Sequence, residues 1–334
     1  MKTSLTTWAA AAVLMLAGCS QPEPADAYLF SYFNGNGDGL HLAYSHDGLH
    51  WQAMNGDRPL IAPLIGNQLM RDPSICQGPD GKFHLVWTSG WTDQGIGYAS
   101  SDDLITWSEQ REIPVMKHIP TTLHAWAPEV YYNADEELFY IIWASSFTTP
   151  EAMEIVAAQP KGAGMPRLES SPNILYYITT RDFETFSEAK EYFHPDFGVI
   201  DGAVIKKGDR YWFIVKNEDG PELGGKNLRV TFSERMADGF PTAVSENISG
   251  EQWAEGPTPL QLGDYVYVFF DKYRDKRYGA IRSLDGANWE DVSETVSFPQ
   301  GIRHGTAFRV SGSVLEKLLA HDAAASAEAA PQAR

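Results

Sequence analysis

Five segments of this 334-residue chain open in the same way: RDPSIC at 71–76, APEVYY at 127–132, DGAVIK at 201–206, EGPTPLQL at 255–262 and HGTAFRV at 304–310. Each is a short apolar run marked by Gly or Pro at its start, which reads as a strand. Opening positions 72, 128, 201, 255 and 304 are separated by 56, 73, 54 and 49 residues. In the first four units an aromatic-rich strand follows a turn (FHLVWTS, LFYIIWAS, YWFIVKN, YVYVFFDK). A third strand comes next (IGYAS, LYYIT, LRVTF, YGAIRS). A four-stranded unit recurring at this spacing predicts propeller blades. The fifth unit keeps only its first strand at the C-terminus. Its missing strands match YLFSYF, LHLAYS and HWQAM near the N-terminus. The expectation is an all-β chain, a five-bladed β-propeller over residues 28–311. N- and C-terminal strands close it by pairing, which removes an exposed sheet edge.

A second repeat fits the same frame. Ser-x-Asp-x-x-x-Trp occurs at Ser45, Asp47 and Trp51, at Ser101, Asp103 and Trp107, and at Ser283, Asp285 and Trp289. Thr180, Asp182 and Phe186 form a looser copy. Four copies in one chain point to a structural unit. The Asp belongs in the hairpin between third and fourth strands, where its carboxylate accepts backbone N–H groups in an Asx-type turn. The aromatic that follows packs between blades. The sequence predicts such a turn and fourth strand for each of the first four units. Residues 148–172 are longer than a hairpin needs and read as a loop insertion near a binding face. After the propeller, Ser313 and Glu316 offer a capping box for a short helix at 312–321. The Ala-rich tail at 322–334 reads as disordered.

The first residues, MKTSLTTWAAAAVLMLAGCSQ, read as a targeting segment. A Lys near the start precedes an apolar run too short for a comfortable membrane span. It ends in Leu16-Ala17-Gly18-Cys19, which reads as a bacterial lipoprotein signal, with 1–18 removed and Cys19 carrying lipid. Residues 19–27 are then a short linker. The expected place is the bacterial cell envelope, periplasmic or surface-exposed, with membrane contact through the lipid only. Ser20 follows the Cys, with no Asp to argue for inner-membrane retention. The net charge is -18, which repels nucleic acid and anionic membrane and favours a neutral substrate. Cys76 has no partner for an intrachain disulfide in the mature chain. It sits in an apolar strand pattern as a small hydrophobe.

In a propeller the opening strands line the central channel, and their starts project into one funnel. Three starts carry acids, Asp72, Asp201 and Glu255, at what read as equivalent blade positions. The other two carry Pro128, after Trp126, and His304, after Arg303. Carboxylates in a channel cost desolvation energy unless paired or functional. Three that converge repel one another and raise at least one pKa, which keeps a carboxyl protonated for general-acid work. Two carboxylates across a sugar define a glycosidase, and a separation of roughly 6.5–9.5 Å leaves room for water and gives inversion. Each acid also has a plain reading: Asp72 caps a strand before Pro73, Asp201 makes an Asp-Gly turn, and Glu255 is a loop acid.

DPSI ahead of a strand, WAPEV, ID before a strand with KKGDRYW, and EGP are similar, in order and spacing, to the motifs of glycoside hydrolase family 43. The resemblance runs from about Tyr28 to Val310. It implies a five-bladed propeller acting with inversion on arabinofuranose, xylose or galactose of plant polysaccharides. Carried over by residue, it implies Asp72 as general base, Glu255 as general acid, and Asp201 as pKa modulator and positioner. Around them, Trp126 either stacks on a sugar or packs between blades. Trp91 either lines the rim or covers apolar surface. Arg71 either neutralises the acid cluster or is a plain surface arginine. Arg303 either binds a sugar hydroxyl or holds a carboxylate. His304 resembles the channel histidine that some members place near a calcium ion or water. The other reading is a hydrogen-bonded structural histidine. Two departures stand out. Nearly a full blade precedes Asp72, and Gly202 follows Asp201 where the family more often carries a bulkier residue.

The expected function is an exo-acting, inverting hydrolase that releases a terminal neutral sugar, first of all α-L-arabinofuranose. No cofactor is required, and a structural calcium is the one metal considered. β-Xylosidase and exo-β-1,3-galactosidase activities fit the same motifs. A non-catalytic carbohydrate-binding lipoprotein is the alternative of another class, although a binder has no need of three converging acids. The Asp turns also resemble those of sialidases, but the strand starts carry acids rather than an arginine cluster. No HExxH arrangement occurs.

Overall fold

The computed structural model describes residues 26–250 and 253–329, and it is a five-bladed β-propeller. The signal segment 1–18 and Cys19 lie outside the described residues. Blade 1 runs outward from Arg71–Gln77 through Phe83–Thr88 and Ile96–Ser101 to Arg111–Ile113. Blade 2 is Trp126–Asn133, Leu138–Ser145, Ile174–Thr180 and Lys190–Phe193. Blade 3 is Val199–Lys207, Arg210–Asn217 and Asn227–Ser233. Blade 4 is Ala254–Leu262, Tyr265–Lys272, Arg277–Ser283 and Glu290–Asp291. Blade 5 joins the chain ends: Thr306–Val310 pairs antiparallel with Ala27–Tyr32, from Ala27 opposite Val310 to Ser31 opposite Thr306. His41–Ser45 and Gln52–Ala53 complete it.

The second strands are apolar on both faces because neighbouring blades cover both. Each of the five large apolar clusters fills one seam between blades. Trp143 and Phe139 of blade 2 pack with Val86 and Tyr98 of blade 1, for example, and Trp212 of blade 3 packs with Val266 and Val268 of blade 4. The chain-closing seam is built the same way, from Leu29 and Leu42 against Leu85 and Trp87.

The Asp turns have the expected geometry. Asp103 Oδ1 accepts from the backbone N–H groups of Ile105 (2.9 Å) and Thr106 (2.7 Å). Ser101 Oγ accepts from Leu104 N (2.8 Å) and donates to Thr106 O (2.7 Å). Asp47, Asp182 and Asp285 repeat the arrangement. Trp51, Trp107 and Trp289 enter the seams. Blade 3 departs from expectation. It has no Ser-x-Asp turn, and its described sheet has three strands. After Ser233 the chain makes a single turn of 3₁₀ helix at Met236–Asp238 instead. The box thus marks blades that own a fourth strand. Ser101→Ala should cost about 1–3 kcal/mol, because the Leu104 amide, buried with its residue, loses its acceptor. A urea midpoint that falls at unchanged slope would show this.

Two local expectations change. The insertion in blade 2 holds a helix, Pro150–Ala157, with Thr149 as N-cap accepting from Ala152 N (3.2 Å). The C-terminal helix spans Gly312–Ala329, so residues 322–329, read as tail, are helical. Its Ala-rich end has high helix propensity, and Leu315 and Leu318 anchor its start against the closing seam. It begins before Ser313, which therefore lies in the first turn rather than at the cap.

Candidate active site

The propeller builds its site with a repeated bulge. At the start of each inner strand in blades 1–4, the ladder to the second strand skips two residues, between Arg71 and Ser74, Trp126 and Glu129, Ile200 and Ala203, and Glu255 and Thr258. The first skipped residue is left-handed: Asp72 (φ 52°), Ala127 (47°), Asp201 (53°) and Gly256 (59°). For a residue other than glycine this costs ~1–3 kcal/mol, and it re-aims the side chain. Counting back from Thr306 puts Arg303 and His304 at the same two positions in blade 5.

This register corrects one expectation. Asp72 and Asp201 are equivalent, but Glu255 stands one residue earlier, in line with Arg71, Trp126 and Ile200. The reason is steric. A Cβ on Gly256 would come within 2.5 Å of Cγ of His304, so that bulge position cannot carry a side chain. The departure at Gly202 has a similar cause, since Phe213 and Leu175 fill the space a Cβ would need.

The side chains converge on a pocket of about 140 Å³ at the channel mouth, lined by Asp72, Asp201, Glu255, His304, Arg71, Trp91 and Trp126 among others. Arg303 stands behind Glu255. His304 Nδ1 lies 3.3 Å from Asp72 Oδ1 and 3.8 Å from Asp201 Oδ1. Thr88 donates to Asp72 Oδ2 (2.8 Å), and Gly256 N to Asp201 Oδ2 (2.9 Å). Burial works to raise the Asp72 carboxyl, but Arg71 and His304 outweigh it and hold it at about 2. Burial raises Asp201, and His304 and Lys216 only partly oppose it. Burial would lower His304, but Asp201 and Asp72 lift it to about 9, so it is an imidazolium. Glu255 Oε2 accepts from Lys216 Nζ (3.0 Å) and Oε1 from Arg303 Nη2 (3.3 Å). Burial favours its neutral form, yet Lys216, then His304 and Arg303, bring it below the usual range.

The supporting residues resolve as follows. Trp126 stacks one face on His124, with centroids 3.7 Å apart, donates from Nε1 to Trp91 O (3.0 Å), and lines the pocket. Trp91 meets it edge-on and lies under the Arg71 guanidinium, 5.0 Å from the ring centroid. Arg303 holds carboxylates, Glu255 and Asp271. His304 is a charged partner of two acids. Its Nδ1 faces both carboxylates. Among the described residues, no group of three His, Cys, Asp or Glu side chains is placed to hold a metal. Burial pushes the Cys76 thiol up to about 12, which leaves it a protonated, inert filler.

Three groups that line the pocket, Thr88, Lys216 and Glu218, and one behind it, Asp271, were not singled out from the sequence. Thr88, Lys216 and Asp271 sit opposite Arg71, Ile200 and Glu255 on the second strands, forming a second ring behind the first. Each closes an apolar run (FHLVWT, YWFIVK, YVYVFFD), and that polar ending was the available signal. Glu218 follows Lys216 on the loop to the third strand. Further along the blade 2 inner strand, Glu129 accepts from Thr306 Oγ1 (3.2 Å), and burial raises its carboxyl to about 7.

A family described as "Probable glycosyl hydrolase domain", related to glycoside hydrolase family 43, matches residues 23–316. The chain belongs to this family. An α-L-arabinofuranosidase of Bifidobacterium longum subsp. longum is 24% identical over 171 residues, covering 46% of this chain and 16% of that protein. The solved exo-β-1,3-galactanase of Clostridium thermocellum superposes with a TM-score of 0.55 at 12% identity, covering 79% of this chain and 58% of that one. The xylan β-1,4-xylosidase of Bacillus halodurans gives 0.48 at 16% identity, covering 69% and 42%. This glycosyl hydrolase domain thus spans about a sixth of the curated relative it matches and less than half of the xylosidase.

Proposed function

We propose that the chain is an exo-acting, inverting glycoside hydrolase that releases one terminal neutral sugar, α-L-arabinofuranose before β-xylose or β-1,3-linked galactose. The observation that carries this is the convergence on one pocket of two carboxylates with separate partners, Asp72 with Arg71, His304 and Thr88, and Glu255 with Lys216 and Arg303. These cations hold both carboxyls below the usual range, as a general base needs, and a bound sugar, which excludes water, favours the neutral form in which Glu255 acts as the acid. Asp72 takes a proton from water, and that oxygen attacks the anomeric carbon. Glu255 gives its proton to the departing oxygen. Asp201, joined to Asp72 through His304 and fixed by Gly256 N–H, keeps the field around both. Trp91 and Trp126 offer apolar ring surface to a sugar, and Arg71 a donor.

The size of the pocket supports removal of single sugars. At about 140 Å³ it is well below the roughly 300–1,000 Å³ of sites for larger ligands. The choice of arabinofuranose follows the name of the curated relative. In the same reading the Cys19 lipid holds the enzyme at the cell envelope beside polysaccharide fragments, and no cofactor is required.

The test is NMR of the soluble form beginning at Gln21 with arabinan, arabinogalactan and xylo-oligosaccharides. Free sugar whose first anomeric signal is inverted is the expected result. Retained configuration would remove the water between the carboxylates. Xylose or galactose in place of arabinose would change the substrate and keep the mechanism. No release from any neutral glycan would favour a carbohydrate-binding protein.

A further inference from the structure

Lys216 is the last residue but one of the strand Arg210–Asn217, and its side chain is 2% exposed. Its Nζ lies 3.0 Å from Glu255 Oε2, 2.7 Å from Glu218 Oε2, and 5.2 Å from the centroid of the Tyr273 ring. The other oxygen of Glu218 is 2.6 Å from Lys226 Nζ. The other oxygen of Glu255 faces Arg303 at 3.3 Å, and that guanidinium also faces Asp271 at 3.4 Å. The two cations on Glu255 therefore differ in kind. A sealed ammonium cannot leave its carboxylates without being stranded in a dry site. Arg303 is 36% exposed and keeps Asp271 as a second partner. Oε2 is thus the fixed oxygen, and Oε1 is the one free to exchange its cation for a proton.

We propose that Lys216 is a positioning residue for Glu255: it holds Oε2 throughout the cycle, leaves Oε1 to carry the proton, and stabilises the carboxylate that remains after transfer. This rests on the role of Glu255 proposed above. As the anomeric C–O bond breaks, its oxygen takes the Oε1 proton. As the water oxygen bonds the anomeric carbon, Asp72 takes the water's proton. Solvent then returns a proton to Glu255 and receives one from Asp72. A cation on the conjugate base makes Glu255 a stronger acid. The gain is large for a basic leaving oxygen, such as a sugar alkoxide, and small for nitrophenolate, which departs without help.

The charged and titratable groups facing the pair come from all sides: Asp201, Glu218 and Lys226 of blade 3, Asp271, Tyr273 and Tyr278 of blade 4, and Arg303 and His304 of blade 5, with Asp72 of blade 1 lining the same pocket. Lys216→Met removes the charge at similar length and leaves Glu218 its Lys226 and Glu255 its Arg303. The alkaline limb of kcat/KM should move up by roughly 1–3 pH units. Turnover of an oligosaccharide should fall roughly tenfold further than that of the 4-nitrophenyl glycoside. Glu218→Gln commits Lys216 to Glu255 alone, so the limb should move down. This opposite shift also serves if the Met variant fails to fold. Equal losses on both substrates with unmoved limbs would leave Lys216 a mere filler and overturn the proposal. Carbon-13 NMR titration of Glu255 in wild type and Lys216→Met separates the two readings. A wild type that cleaves no neutral glycoside overturns the hydrolase. An unmoved Glu255 titration overturns the role of Lys216 alone.

Discussion

Asparagine at position 72 is expected to lower kcat by roughly 10²–10⁴-fold, with KM changed only a few-fold. The substitution is close to a pure chemical test. Asp72 is left-handed (φ 52°), and asparagine is one of the few residues that adopts that conformation readily. Its amide oxygen can still accept from Thr88 Oγ1, so the bulge and the inner strand should survive. What disappears is the basic oxygen that takes a proton from water. His304 keeps Asp201, so the imidazolium is not abandoned. Steady-state kinetics beside a urea unfolding curve would separate chemistry from folding. More than a tenth of wild-type kcat, at unchanged stability, would show that Asp72 is not the base.

The blades were legible because their signals are local. Gly and Pro punctuate each inner strand, and Ser-x-Asp-x-x-x-Trp marks three hairpins with a fourth marked more loosely at Thr180. Blade 3 obeys the same rule by exception: its sequence lacks the turn, and among the described residues its sheet has no fourth strand. Asp72, Asp201, Trp126, Arg303 and His304 were legible because a polar or aromatic group at the start of a channel strand has few structural uses. The offset of Glu255 was not. It follows from the contact between Gly256 and the His304 ring, 48 residues away in sequence counting from 256 to 304, which no local pattern encodes. Lys216 and Asp271 were hidden for another reason. Each ends an apolar run that reads as core, and the partner that explains the charge lies on another strand. Lys216 meets Glu255 across 39 residues, and Glu129 meets Thr306 across 177. Strand identity is written in alternation and turns, whereas charge pairing in a propeller is written in the third dimension. The insertion follows the same division. Its length signalled an insertion, and its helix rests on the Thr149 cap and Pro150, which are short signals inside a loop-like stretch.

Glutamine at position 255 should give the second large effect, and its size should depend on the substrate. With a sugar as leaving group the loss should be roughly 10²–10⁴-fold, the full contribution of a general acid. With 4-nitrophenolate, which needs no proton to depart, it should be about tenfold or less. The pH profile carries the sign of the assignment. A general acid works only when protonated, so wild-type activity falls as pH rises through the Glu255 pKa. Lys216, His304 and Arg303 bring that pKa down against the effect of burial, so in kcat/KM the alkaline limb lies low. A bound sugar excludes water from the carboxylate and favours its neutral form, so the limb in kcat should lie higher. Glutamine cannot titrate, and both alkaline limbs should vanish while the acid limb set by Asp72 remains. Its carbonyl can still receive Lys216, and Glu218 still holds the ammonium, so the fold is not put at risk. If the variant lost activity equally on both substrates and kept its alkaline limb, the proton would come from another group. Asp201, whose carboxyl burial already raises, would then be the one to replace next.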